Sequence, residues 1–243
     1  MAKYGLIGKD LSHSFSRTFF TNKFEKEKRK ATYHNFELES LEQFSDLIKK
    51  TEGLKGLNVT IPYKEKIIPY LDKMDKEAQK IGAVNTIKFC KDGKLTGYNT
   101  DHYGFAKALA DFFPIKEKTA LILGSGGASK AVQYVLDTMD FEYEIVSRKS
   151  SMDSISYQAL DKEMIEEHLL IVNCTPLGTS PNIKECPRIP YQYLGKDHLL
   201  FDLIYNPRET EFMKLGFIRG ARVSNGLKML EYQAKKAWAI WNL

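Results

Sequence analysis

The 243-residue chain is 43% hydrophobic and 28% charged with a net charge of +5, a composition that excludes disordered, collagenous and membrane-spanning classes. At roughly 150 residues per domain it makes one large domain or two small ones, enough to bury about 70% of its unfolded surface without disulfides or metals. Cys90, Cys174 and Cys186 form no C-x-x-C pair, and the five histidines form no metal-binding spacing, so neither a disulfide framework nor a metal site is expected. No apolar run approaches about 18 residues and residues 1–5 open no signal peptide, so a cytoplasmic chain without a membrane partner is expected. The charge is too mild to point to nucleic acid. All of the excess lies in residues 1–101, with 19 basic and 14 acidic side chains, against 17 of each in residues 102–243. Its densest cluster, residues 26–30, reads as a solvated helix face with a secondary role in steering an anion.

In chain order, apolar runs alternate with helix-period stretches. A strand is predicted over 3–8, a helix over 16–28, a strand over 31–38, a helix over 41–49 and a strand over 56–60. Residues 62–71 are predicted as a helix with Pro62 at its first position. Strands over 84–89 and 95–98 flank Lys91-Asp92-Gly93, a hairpin signal, and an amphipathic helix over 102–113 ends before Pro114. Beyond it, strands over 119–123, 143–147, 169–173, 199–203 and 222–223 are interspersed with helices over 126–136, 209–215 and 227–241. This α/β alternation implies parallel strands with right-handed crossovers, and the hairpin makes the first sheet mixed. A domain of residues 1–101, with a C-terminal helix 226–243 packing back on it, precedes a Rossmann-like domain of residues 102–225.

The strand over 119–123 runs directly into Gly124-Ser125-Gly126-Gly127-Ala128-Ser129, and a helix follows. Gly124 permits the tight turn, and Gly126 lets backbone amides approach a pyrophosphate at the helix N-terminus. Ser129 stands where the dinucleotide fingerprint has Gly or Ala. The next strand ends in Ser147-Arg148-Lys149, where an NAD-binding fold carries an acid for the ribose 2′-hydroxyl. Two cations and a hydroxyl there favour a 2′-phosphate, hence NADP. The bland alternative is a solvated turn.

Four polar clusters interrupt the first half. In Ser12-His13-Ser14-Phe15-Ser16 the serines either cap a helix or hold a carboxylate. In the stretch from Asn58 to Lys64, Asn58 and Thr60 share one strand face. Lys64 falls in the first turn of the predicted helix, where a cation faces the positive end of the dipole; that placement suits a proton carrier, unless the side chain simply reaches solvent. Gly82-Ala83-Val84-Asn85-Thr86 and Gly97-Tyr98-Asn99-Thr100-Asp101 repeat Asn-Thr in adjacent strands, which places both in one cleft. Thr100 or Asp101 alone reads equally as a helix cap.

Taken together and in this order, these motifs, with Asn173-x-Thr175-Pro176-Leu177-Gly178 and Asn225-Gly226-Leu227, resemble the shikimate dehydrogenase family over nearly the whole chain. The resemblance implies two α/β domains with the active site in the groove between them and NADP-dependent, reversible reduction of 3-dehydroshikimate to shikimate. It implies that Ser14 and Ser16 hold the substrate carboxylate, that Asn58, Thr60, Asn85, Asp101 and Gln233 contact ring hydroxyls or carboxylate, and that Tyr205 lies near the substrate. Lys64 is the implied acid/base, paired with Asp101. The implied cofactor residues are Gly124, Ser125, Gly126, Gly127, Ala128, Ser147, Arg148, Lys149, Thr175 and Gly226. The chain departs from the family pattern at Asn225 and Lys228. The partner implied is a small-molecule substrate, with no nucleic acid or membrane, for a monomer or homodimer. Competing readings are an NAD-using quinate/shikimate dehydrogenase, which Arg148-Lys149 weighs against, and a non-catalytic sensor of the same fold, which Lys64 with Asp101 weighs against.

Overall fold

The computed structural model describes every residue except Ser12, His13, Phe113 and Lys116, so the first half of the Ser12–Ser16 cluster and the predicted helix end at Phe113 lie outside the described residues. The chain forms two compact units, Met1–Gly104 with Leu230–Leu243, and Phe105–Met229. It passes from the first unit to the second within one helix and returns within another.

The first unit contains β1 (Ala2–Gly8), α1 (Phe15–Lys26), β2 (Ala31–Glu37), α2 (Phe44–Lys50), β3 (Leu54–Val59), β4 (Lys73–Met74), α3 (Lys76–Ile81), β5 (Thr86–Phe89) and β6 (Leu95–Tyr98). The strands form one mixed sheet in the order β2-β1-β3-β5-β6-β4. β1 is parallel to β2 and β3, and β5 is antiparallel to both β3 and β6, as the hairpin signal requires. On one face, Phe20 and Phe24 of α1, one helical turn apart, pack on Tyr4 and Tyr33.

That cluster also takes the last helix of the chain, α8 (Leu227–Trp241), the element after α4 (Asp101–Ala110) that links the two units. Ala234, Ala237 and Trp241, spaced three and four residues apart, form its buried stripe. The Trp241 indole N–H donates to the Ile87 carbonyl of β5 at 3.0 Å, so its one polar atom is satisfied within the apolar cluster. This seat brings Gln233, the residue before Ala234, within hydrogen-bond reach of Asn85 and Thr100.

The predicted helix over 62–71 does not form; that stretch is a series of turns ending in a single 3₁₀ turn, Ile68–Tyr70. Pro69 would sit inside such a helix without an N–H and with its ring against the carbonyl one turn back. The Lys64 carbonyl, which a helix would offer to Ile68, instead accepts the Val84 N–H at 2.7 Å. α3 and β4 escape the sequence reading because they are short. Yet α3 carries a readable start, with Asp75 accepting the Ala78 N–H at 2.8 Å.

The second unit contains β7 (Thr119–Leu123), α5 (Gly127–Thr138), β8 (Glu142–Ser147), β9 (Ile155–Ser156), α6 (Lys162–Glu167), β10 (Leu170–Asn173), β11 (Leu199–Asp202), α7 (Glu211–Ile218) and β12 (Arg222–Ser224). All pairings are parallel, in the order β12-β11-β10-β7-β8-β9. β10 and β11 are buried along their whole length, which is why they read as unbroken apolar runs and not as alternating ones. Among the described residues no helix is long and apolar enough to cross a membrane.

Candidate active site

β1 and β3 lie in parallel register, Ile7 opposite Val59, so the loops that leave them open at the same end of the sheet, where loops of parallel strands gather ligands. The loop after β3 carries Thr60, half-buried, and Lys64. Lys64 Nζ donates to Asp101 Oδ2 at 2.8 Å, and the two side chains are only 15% and 8% exposed. With no helix over 62–71, the helix-end field invoked from the sequence is absent. The Val84–Lys64 backbone bond and the Asp101 carboxylate place the ammonium instead. Asp101 opens α4, where its own N–H donates to Asn99 Oδ1 at 3.0 Å, so it sits on a rigid helix start.

The second oxygen of Asp101 accepts Asn85 Nδ2 at 2.8 Å. Asn85, at the head of β5, also donates to Thr100 Oγ1 at 3.0 Å and to Gln233 Oε1 at 3.4 Å, and its Oδ1 accepts the Thr100 N–H at 2.7 Å. Lys64, Asn85, Thr100, Asp101 and Gln233 thus form one polar group, drawn from segments up to 148 residues apart. Buried polar atoms in such a network hold each other's orientation because each unmade bond is costly.

Asn58 plays a different part. It is buried, its Nδ2 donates to the Asn85 carbonyl at 3.2 Å and Thr86 Oγ1 at 3.1 Å, and its Oδ1 accepts Tyr33 Oη at 2.8 Å. All of its hydrogen-bonding groups serve the scaffold. Tyr33, which the sequence reading passes over as a strand residue, is fully enclosed; burial pushes its phenol well up, and a hydrogen bond with Ser16 opposes that shift. Ser16, Tyr33, Asn58 and Asn85 therefore make a continuous chain from the start of α1 to the Lys64 group. Ser14 is the N-cap of α1 and accepts the Arg17 N–H at 3.2 Å.

In the second unit, Gly124 has φ +107°, a conformation that disfavours any side chain, and a Cβ there would lie 3.1 Å from Thr175 Cγ2. Gly126 is the exposed N-cap of α5 without a side-chain cap, and a Cβ there would meet no heavy atom within 4 Å beyond its own chain neighbours, so the helix start is uncrowded. Ser125, Gly127 and Ala128 complete this turn. Such a cradle fits a dinucleotide pyrophosphate. Ser129, the departure from the glycine pattern, is fully buried, and its hydroxyl donates to the Gly126 carbonyl at 2.6 Å, so it packs as a small residue with its polar atom satisfied.

Beside this turn lies a hollow of about 410 Å³ whose walls include Ser125, Ser147, Lys149 and Ser151. Ser147 pairs with Ser154 at 3.1 Å and donates to the Lys149 carbonyl. Lys130, from the first turn of α5, also lines the hollow, a cation the sequence reading misses because it lies on the helix and not at the strand end. Arg148 is exposed and lies close enough to Tyr157 for its charge to lower that phenol's pKa, against a larger upward push from burial that leaves it at about 12. Lys228 Nζ meets Asp111 Oδ2 at 2.6 Å, and Asn225 Nδ2 donates to the Arg208 carbonyl at 2.8 Å, so both departures from the family pattern have local partners. Tyr205 is half-buried in the turn after β11.

That turn begins with Asp202, whose carboxylate is fully buried at the end of β11. Burial pushes its pKa up to about 6, although hydrogen bonds from Thr210, Ile204 and Asn173 pull the other way. The folded chain therefore holds this proton more tightly than the unfolded chain between the ordinary carboxylate range and about pH 6. The associated stability is present at low pH and lost as pH rises through that window. Urea titrations of wild type and Asp202→Asn should show the wild type's relative stability falling by up to about 3 kcal/mol between about pH 4 and 7. A relative stability that rises with pH would contradict the placement.

The model of the shikimate dehydrogenase substrate binding domain matches residues 6–87. The shikimate dehydrogenase (NADP(+)) of Clostridium beijerinckii is 41% identical over 99% of this chain and 92% of its own length. Among solved structures, the shikimate dehydrogenase of Aquifex aeolicus superposes with a TM-score of 0.87 at 35% identity, covering 100% of this chain and 92% of the other. The shikimate 5-dehydrogenase of Thermus thermophilus, solved with NADP(H) and shikimate, gives 0.87 at 30% identity, covering 99% and 93%. The chain belongs to the shikimate dehydrogenase family.

Proposed function

We propose that this chain catalyses the reversible reduction of 3-dehydroshikimate to shikimate with NADPH. The observation that carries the reading is the Lys64–Asp101 contact at 2.8 Å, largely buried and ringed by the amides of Asn85 and Gln233. NADPH, when bound, supplies the hydride that the ketone carbon receives. The oxygen of that carbon then needs a proton, and the Lys64 ammonium donates it. Asp101 holds the ammonium before transfer and orients the amine after it. In the oxidative direction the Lys64 amine takes the hydroxyl proton back.

The substrate carboxylate is assigned to Ser14 and Ser16. Ser14 already accepts the Arg17 N–H, so its hydroxyl proton is left to donate. Thr60, Asn85, Gln233 and Tyr205 are assigned to the ring side, and Asn58 to bracing Asn85. The Gly124–Ala128 turn is assigned to the pyrophosphate, Ser147, Arg148 and Lys149 to the 2′-phosphate, and Thr175 and the Gly226 backbone to the nicotinamide side. Functional domains are assigned to residues 1–101 with 226–243 and to 102–225, in a cytoplasmic monomer or homodimer that takes a small-molecule substrate and no nucleic-acid or membrane partner.

The test is a panel of shikimate and quinate against NADP and NAD, followed by nicotinamide absorbance. Shikimate with NADP should be fastest, and Arg148→Ala should raise the KM for NADP about tenfold while leaving that for NAD within about twofold, since a charge-assisted phosphate contact is lost in one case only. Quinate with NAD as the best pair, or equal losses for both cofactors, would overturn the corresponding part of the reading.

A further inference from the structure

We infer that Asp202 is a positioning residue for the nicotinamide half of the cofactor, acting through Asn173 on Thr175. The inference rests on the reading of the second unit as the NADP-binding half, and it concerns Asp202 and Asn173, which the mechanism leaves unused.

β10 and β11 end side by side, with Asn173 opposite Asp202, and both side chains are fully buried. Asn173 Nδ2 donates to Asp202 Oδ1 at 3.0 Å, and this fixes which way the Asn173 amide faces. Asn173 Oδ1 is thereby turned toward Thr175, from which it accepts both the N–H at 3.0 Å and the O–H at 2.7 Å. The Thr175 hydroxyl proton is committed to Asn173 and its oxygen accepts the Leu177 N–H at 3.3 Å, so the rotamer is set from both sides. Its methyl group is directed at the Gly124 turn.

The other bonds of Asp202 explain why an acid occupies the position. Oδ1 takes a second donor, the Ile204 N–H at 3.0 Å, and Oδ2 takes the Thr210 hydroxyl at 2.6 Å. Thr210 in turn caps α7 by accepting the Met213 N–H at 3.3 Å. Two oxygens with no proton of their own accommodate all three donors. One buried carboxylate thus ties the loop that carries Thr175, the turn that carries Tyr205 and the start of α7 to a common point. In a sheet of this order, β8 borders the adenosine side of the glycine turn and β10 the opposite side. The effect of Asp202 therefore falls on the part of NADP beyond the pyrophosphate.

The experiment compares NADP with adenosine 2′,5′-bisphosphate, which lacks the nicotinamide half, by calorimetric titration of wild type, Asp202→Ala, Asp202→Asn and Asn173→Ser. Circular dichroism confirms folding of each. Asp202→Ala and Asn173→Ser should each weaken NADP about tenfold and the bisphosphate by less than about twofold, because loss of the brace reaches only one side of the turn. Asp202→Asn, which keeps an acceptor toward Asn173, should recover most of the NADP affinity; it also serves as the test, with Asn173→Ser, if Asp202→Ala fails to fold. Equal weakening of both ligands, or unchanged NADP binding by folded Asp202→Ala or Asn173→Ser, would overturn the positioning role. Failure of wild type to bind NADP while it binds NAD would instead refute the cofactor reading on which the inference rests.

Discussion

Replacing Lys64 by alanine should lower kcat by about 10²- to 10⁴-fold, the range over which a positioned proton donor contributes. The substrate dissociation constant should change far less, because the carboxylate and hydroxyl contacts assigned to Ser14, Ser16, Asn85 and Gln233 remain. Lys64→Arg separates the two things an ammonium can do. Guanidinium keeps the positive charge beside Asp101 but does not release a proton at any working pH, so this variant should be nearly as impaired as Lys64→Ala. Recovery of most of the turnover in Lys64→Arg would make residue 64 an electrostatic group and remove it from proton transfer. Asp101→Asn should also lose turnover, because one oxygen of Asp101 holds the ammonium and the other holds Asn85 Nδ2. Steady-state rates alongside equilibrium shikimate binding resolve these outcomes.

Gly226→Ala should be the most disruptive small substitution in the second unit. A Cβ at this position would lie 2.1 Å from the Leu203 carbonyl oxygen and 2.6 Å from its carbon, both backbone atoms that no rotamer change can move. The Gly226 N–H also donates to the Ile204 carbonyl at 2.9 Å, so the two strands of backbone are bonded as well as in contact. Relieving the clash means breaking that bond and shifting the start of α8. Overpacking against unyielding atoms costs about 1–3 kcal/mol and occasionally more. In a chain of this size that lowers the melting temperature by roughly 2–10 °C. The KM for NADP should rise in the same variant, since the displaced backbone is the part assigned to the nicotinamide side. A melting temperature and KM both equal to wild type would show that the backbone contact is looser than described.

The parts of this molecule that can be read from sequence are those where one short segment carries the whole signal. The strand-to-glycine-to-helix turn at Gly124–Gly126, the hairpin at residues 91–93 and the apolar runs of β7, β10 and β11 depend on local backbone and on burial along a single strand, and the structure has them at the predicted places. The Lys64 turn defeats a local reading because its backbone partner, the Val84 N–H, comes from a later segment, and because Pro69 outweighs the helix-start signal of Pro62. The pairing of Lys64 with Asp101 is accessible through family motifs and not through spacing, since residues 64 and 101 meet only after β5 and β6 have folded back on β3. Tyr33 and Asp202 carry no signal at all. Each looks like an ordinary strand residue until the neighbour whose polar atoms it satisfies is in place. Asn58 shows the reverse limit, since its motif suggests substrate contact while its geometry serves the scaffold.

Direct passage of hydride between the substrate carbinol carbon and a nicotinamide, with Lys64 handling only the proton, can be followed by isotope tracing. Shikimate bearing deuterium at the carbon that becomes the ketone is oxidised with NADP, and the reduced cofactor is analysed by mass spectrometry. Deuterium carried quantitatively into the reduced nicotinamide is the predicted result. Deuterium released to water, or shikimate bound without any reduced nicotinamide forming, would contradict it.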